Sequence, residues 1–304
     1  MRRRLIPLIL AMLLVWCIPV RAETAETGLS RSPLLDVSLT MLEKGNIFTE
    51  RYNALTGAQV EARFEYGMPY FFGGRHDFFI NGKQHVFAHE PLYSINVVKE
   101  QTRFYARGRY YLYGFDCTGF TQWVFSEVGW PRHPALDQMI LNYSKYGTRN
   151  HLYSHRKGKE MPPFDELAET LQVGDLLVGK KRARHVLMYI GTLRQFGFTA
   201  AEVPELAEYL DYPLVIHCGA NLMYGERIQR FLDEHAGDPY YEDVLVSDGG
   251  VAVSIIGVPF QDAPNHGREG IADYAWFELP GGYKLTVWDL SACTSFCWFR
   301  PNGI

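Results

Sequence analysis

Three residues of this chain have the types to do chemistry together: Cys117, His185 and His217. Cys117 stands in the run Gly114-Phe115-Asp116-Cys117-Thr118-Gly119-Phe120 at a strand-to-helix junction. After it Phe120, Trp123, Val124 and Val128 fall on one face at helical spacing, Gly129 supplies a stop and Pro131 blocks continuation. Cys117 therefore sits in the first turn of a helix. Unpaired backbone N–H groups and the helix dipole there favour a thiolate, the nucleophilic form. Such a nucleophile needs an imidazole to take its proton and a third polar group to orient that imidazole. His185 begins a short strand and His217 ends the next one. Neighbouring strands lie about 4.8 Å apart, so the two rings can meet. Taken singly, Cys117 also reads as a small apolar anchor of a core helix, and each histidine as a satisfied core or surface residue. The ordered set of three is more specific than any member.

The elements that position these residues follow from the pattern. Residues 34–55 read mostly as helix, with Leu35, Leu39 and Leu42 at helical spacing and a break at Gly45-Asn46. A second helical stretch is expected from Ala58 to Tyr66. Residues 67–74 give a turn, an aromatic piece and a glycine pair. Residues 75–113 are rich in aromatics and histidine and read as an insertion of short strands with a turn at Asn81-Gly82. A short helix is expected from Phe164 to Leu171. Leu176–Gly179 and His185–Ile190 form a hairpin around a basic tip. An acidic helix over 201–211 falls in a second insertion, at about 195–213. Strands follow at Leu214–His217, Val251–Val258 and Lys284–Trp288, with a further helix from Met223 to His235. Helices first and antiparallel strands afterwards describe an α+β domain.

The N-terminus reads as a secretory signal. Arg2, Arg3 and Arg4 precede an apolar run from Leu5 to Val20, and Val20-Arg21-Ala22 suits cleavage before Glu23. That run is 16 residues, short of the ~20 needed to span a bilayer. Cys17 suits lipid attachment less well, because Trp16 precedes it. Cleavage at 22 leaves 282 residues, and loss of the four leader arginines takes the formal charge from −4 to −8. Such a balance argues against nucleic acid or an anionic membrane surface as partner. No integral membrane segment is expected after cleavage. The scattered histidines and cysteines give no metal set, and no cofactor is expected. Cys293 and Cys297 could pair across a turn, leaving Cys218 buried and unbridged. Oligomeric state is not legible.

Four stretches resemble the NlpC-type cysteine peptidases, the papain-like cell-wall endopeptidases. Gly67-Met68-Pro69-Tyr70-Phe71-Phe72-Gly73-Gly74 is similar to G-x-P-Y-x-W-G-G, with Phe72 in place of tryptophan. Phe115-Asp116-Cys117-Thr118-Gly119-Phe120 is similar to F-D-C-S-G-F. Leu171 to Leu177 is similar to L-x-P-G-D-L-L, with Val173 for proline, and His185 to Gly191 to H-V-x-I-Y-I-G. The resemblance spans about residues 58–300.

It implies a papain-like NlpC-type fold, with N-terminal helices packed on a central antiparallel sheet. The expected division is a signal peptide (1–22), a helical lead-in (23–57) and a catalytic domain (58–304). It implies Cys117 as nucleophile, His185 as general base and His217 as the residue orienting it. Tyr70, Asp116 and Thr118 would line the substrate pocket. The implied substrate is a peptidoglycan stem peptide or muropeptide, cut between γ-D-glutamate and a diamino acid, outside the cytoplasm. Two insertions longer than the family's usual loops are expected beside the cleft. The same fold also serves amidases and acyltransferases on other substrates, or a non-catalytic module holding a peptide or glycan.

Overall fold

The computed structural model describes residues 28–71, 74, 78–80, 83–85, 91–93, 110–112, 114–130, 147–154, 158, 160–180, 185–219, 233–234, 236–237, 244–245, 249–265, 275–288 and 295–303. The expected signal segment, Cys293, most of the 75–113 insertion, the hairpin's basic tip and nearly all of the 223–235 helix lie outside these residues.

The chain opens with helices α1 (Pro33–Leu39) and α2 (Ile47–Thr56). The break between them falls where Gly45-Asn46 signals it. The Asn46 side chain caps α2 by accepting the Phe48 N–H at 2.9 Å, and Gly57 ends it in a left-handed conformation. The helix expected over 58–66 does not form. The Asn53 carboxamide instead clasps Val60 from both sides, accepting its N–H and donating to its carbonyl, each at 2.9 Å. Those bonds hold the chain extended as it leaves Gly57, and Glu43 then bridges Phe64 in parallel.

Four short strands follow: β1 (Phe78–Ile80), β2 (Lys83–His85), β3 (Pro91–Tyr93) and β4 (Tyr110–Leu112). β1 and β2 pair antiparallel with Ile80 opposite Lys83. The helix that begins at Cys117 is α3 (Cys117–Glu127), followed by β5 (Gly147–Ser154) and α4 (Phe164–Thr170). Then come β6 (Leu176–Lys180), β7 (His185–Thr192), a 3₁₀ helix at Pro204–Tyr209 and β8 (Pro213–Gly219). The remaining strands are β9 (Val244–Leu245), β10 (Gly250–Ile256), β11 (Trp276–Leu279), β12 (Tyr283–Trp288) and β13 (Ser295–Pro301).

The main sheet has eight strands in the order β11-β12-β10-β8-β7-β6-β13-β5. It is mixed, not purely antiparallel as expected. β10 and β12 run parallel, with Ser254 opposite Thr286. The chain leaves β10, crosses to the sheet edge as β11 and turns back through Pro280–Gly282, so β12 enters beside β10 in the same direction. The fold class is α+β. One face of the sheet packs α1, α2 and α3 around Leu35, Phe48, Phe120, Trp123, Val186, Ile216 and Val253. The other carries a smaller cluster of Leu167, Leu171, Leu187, Tyr189, Val215 and Ile256. No helix among the described residues is long and apolar enough to cross a membrane.

The second insertion does not border the strand end that carries the histidines. It leaves the far end of β7, some seven residues or about 23 Å from His185. It folds onto α2: Phe196 and Phe198 pack on Phe48, and the Arg51 guanidinium lies 3.8 Å over the Phe198 ring and donates to the Gly197 carbonyl. The acidic helix expected there is a six-residue 3₁₀ helix, Pro204–Tyr209.

The Gly174-Asp175 turn before β6 has its own structural reason. Asp175 is fully buried and takes a bidentate ion pair from Arg300 of β13, at 2.9 and 2.6 Å, plus the Gln172 N–H at 2.9 Å. Removing the cation strands a buried carboxylate. Arg300→Ala is expected to lower the unfolding free energy by about 3 kcal/mol in urea titration; a loss of less than about 1 kcal/mol would place the pair with ordinary surface bridges.

Candidate active site

Cys117 is placed by backbone packing that only glycine permits. The segment before Cys117 is zipped to residues 69–71 and 74: the Phe115 N–H donates to the Pro69 carbonyl at 3.0 Å and the Phe71 N–H to the Phe115 carbonyl at 2.8 Å. The Asp116 N–H reaches the Gly74 carbonyl at 3.2 Å. A Cβ on Gly114 would lie 1.8 Å from the Pro69 oxygen, and one on Gly119 would lie 1.9 Å from the Gly74 oxygen. Asp116 then caps α3, its Oδ1 accepting the Gly119 N–H at 2.6 Å. From there Phe120, Trp123, Val124 and Phe125 are buried, and Phe115 stacks on Trp123 at 5.8 Å.

His185 and His217 meet. His185 Nε2 and His217 Nδ1 are 2.7 Å apart, with the rings edge to face. The Met188↔Ile216 pairing of β7 and β8 sets the two residues diagonally on one face. Both are buried. Trp288 of β12 stacks on His185 with centroids 4.6 Å apart and meets His217 edge-on. Beyond the pair, His217 Nε2 lies 2.8 Å from Ser254 Oγ, which in turn bonds Thr286 Oγ1.

Cys117 lies beside β7, with no hydrogen bond between its sulfur and either imidazole among the described residues. Its sulfur takes a hydrogen bond from the backbone N–H of Val186, the residue after His185. Thr118 is buried beside it, Oγ1 3.8 Å from the sulfur. Tyr70 is half-buried on the strip that bridges Phe115. Asp116 commits Oδ1 to its own helix. Cys218 is a free, buried thiol donating to the Phe115 carbonyl at 3.2 Å. Cys297 is buried in β13, and its expected partner Cys293 lies outside the described residues.

The electrostatics differ from the expected thiolate. Burial, then the Asp116 carboxylate, pushes the Cys117 thiol up to about 11, against the opposing hydrogen bonds from Val186 and Thr118. Burial pulls His185 down to about 3. Burial and the neighbouring His185 hold His217 well below the usual imidazole range. The resting pair is thus thiol and neutral imidazole: the helix dipole is outweighed by desolvation. A neutral imidazole is the form that accepts a proton, and the thiol loses its proton as it attacks.

Ser254, Thr286 and Trp288 were not singled out by sequence. The available signal was a serine inside the otherwise apolar strand Val251-Ala252-Val253-Ser254-Ile255-Ile256, a placement that requires a hydrogen-bond partner.

Residues 100–203 match the model of the NlpC/P60 family. The match takes in Cys117 and His185 and ends before His217. The matched third of the chain is similar to the family that the motifs resemble, one of papain-like α+β cysteine peptidases and amidases acting on cell-wall peptides. No curated protein and no solved structure matches the chain.

Two outcomes follow from the electrostatics. Alkylation of Cys117 by iodoacetamide without substrate should be slow at pH 7 and climb toward pH 11; a rate already maximal at pH 7 would show a resting thiolate. For His185, the folded value lies below the unfolded 6.5. Below pH 6.5 the unfolded chain binds a proton that the folded one refuses, so stability falls from pH 6.5 until about pH 3. At pH 5 the loss is about 2 kcal/mol. Denaturant titrations at pH 7 and 5 should show that loss shrink in His185→Asn; equal losses in both proteins would contradict it.

Proposed function

From the NlpC/P60 match across Cys117 and His185, we propose that the protein is an exported cysteine peptidase that hydrolyses peptidoglycan stem peptides at the γ-D-glutamyl–diamino acid bond. The observation that carries this reading is the 2.7 Å contact between His185 Nε2 and His217 Nδ1, together with a Cys117 sulfur bonded to the N–H of Val186, the residue after His185. With Nε2 engaged by His217, His185 has Nδ1 left for the thiol.

In the proposed reaction the Sγ–H proton passes to His185 as sulfur attacks the amide carbonyl. N–H groups at the start of α3 stabilise the oxyanion. The imidazolium returns its proton to the departing amine, leaving a thioester. His185 then takes a proton from water, whose oxygen attacks the thioester and frees Cys117. His217 holds the ring of His185 in place and shares its charge while it is protonated. Tyr70 and Thr118 are the residues proposed to contact the bound peptide, with Asp116 holding the helix start.

The test is mass spectrometry of soluble products from defined muropeptides treated with the purified protein or with Cys117→Ala. The expected product is split after D-glutamate and falls at least 10³-fold in the variant. Equal product from both proteins would remove Cys117 as nucleophile. Intact stem peptides with wild-type protein would remove the cell-wall substrate.

A further inference from the structure

The histidine pair belongs to a longer chain of hydrogen bonds with a fixed direction. Four neighbouring strands, β7, β8, β10 and β12, each contribute one side chain: His185, His217, Ser254 and Thr286. All four are buried, Ser254 and His217 completely. Ser254 and Thr286 are direct partners across the parallel pair. The chain ends where Thr286 Oγ1 donates to the Val253 carbonyl at 3.3 Å.

That last bond sets the direction of the others. A carbonyl can only accept, so the Thr286 hydroxyl hydrogen points at Val253. Thr286 Oγ1 then accepts from Ser254, and Ser254 Oγ accepts the N–H of His217 Nε2. This leaves His217 Nδ1 with a lone pair, and it accepts from His185 Nε2–H. His185 is left with its lone pair on Nδ1. In the opposite direction Thr286 donates to Ser254 and Ser254 to His217 Nε2. His217 Nδ1–H then donates to His185 Nε2, the His185 proton moves to Nδ1 and the Val253 carbonyl loses this donor. A His185 carrying its proton on Nδ1 cannot take one there from a thiol.

We propose that Ser254 and Thr286 are positioning residues that fix the tautomers of His217 and His185, keeping the His185 lone pair on Nδ1. Neither residue touches the nucleophile. The chain anchors the ring proton to a backbone carbonyl two strands away, which a buried pair of neutral imidazoles otherwise leaves undecided. Its catalytic consequence rests on the peptidase reading, whereas the tautomer itself does not.

The experiment is ¹⁵N-histidine NMR at pH 7.5 on wild type, Thr286→Val and Thr286→Ser, with stem-peptide kinetics beside it. Thr286→Val keeps the shape and removes the hydroxyl. Both rings of the wild type should carry the proton on Nε2. In Thr286→Val the His185 signal should move toward the Nδ1–H tautomer, with kcat down about tenfold and KM within twofold. Thr286→Ser should restore both. If Thr286→Val fails to fold, Ser254→Ala reads the same chain one link closer and should show the same tautomer shift. A wild-type His185 protonated on Nδ1, or an unchanged tautomer in a folded variant, overturns the proposal. If wild type cuts no stem peptide while the tautomers shift as stated, the peptidase reading falls and the positioning role stands.

Discussion

The site depends on a seam where two stretches of backbone touch without side chains between them. Gly74, Gly114 and Gly119 all lie on it, and a methyl group at any of the three would sit within about 2 Å of a carbonyl oxygen. Real Cβ atoms do not approach that closely, so the seam admits only glycine. Its effect is to bring the Pro69–Gly74 strip directly against the peptide units that precede and follow Cys117. The same strip is fastened to the sheet, the Val251 N–H donating to the Met68 carbonyl at 2.9 Å. Cys117 therefore has a rigid link to β10, the strand that carries Ser254. Both halves of the site refer to one piece of sheet.

Desolvation decides the chemistry of that site more than the helix does. A helix start stabilises a nearby anion by about 1 kcal/mol in ordinary settings. Burying an anionic sulfur costs more than this, and the Asp116 carboxylate that caps the same helix adds repulsion. The cap and the anion compete for one helix end, and the cap holds it. The consequence is a thiol and two imidazoles that carry no charge at rest. His185 and His217 pack as neutral rings against Trp288, which an imidazolium pair could not do at this burial. The protein then needs another way to decide which nitrogen holds each proton, and hydroxyls of the adjoining strands are suited to it because they are neutral, buried and directional.

The parts of the fold that were legible are those where pattern and packing agree. α3 was readable because its apolar face is periodic and Gly129 ends it; the β6–β7 hairpin because both strands are short apolar runs. Cys117 at a helix start was readable through its local motif, and the His185–His217 contact through their places on neighbouring strands. The helix expected over 58–66 failed because a side chain seven residues upstream, Asn53, captures the backbone of Val60, an interaction that periodicity does not register. β5 was missed because its sequence, Gly147-Thr148-Arg149-Asn150-His151-Leu152-Tyr153-Ser154, is an edge strand with little apolar alternation. The parallel entry of β12 was missed because strand direction is a property of the connection, which the strand's own residues do not encode.

The 32 positions between His185 and His217 illustrate the difference between sequence distance and spatial distance. A long excursion would threaten the contact only if it pulled β7 and β8 apart. Extra loop length costs little in closure entropy, about 0.6 kcal/mol per doubling. Here the excursion also returns part of that cost by building its own packing: Phe196, Phe198, Val203, Leu206 and Leu210 are buried, and Arg194 ties its ends together through the Leu210 carbonyl and the Asp211 carboxylate. All of this happens at the end of β7 remote from His185. The β7–β8 pairing is left intact, and with it the diagonal that joins the two imidazoles. An insertion of this kind can grow without disturbing the site, because the sheet register, and not the chain length, sets the 2.7 Å between the rings.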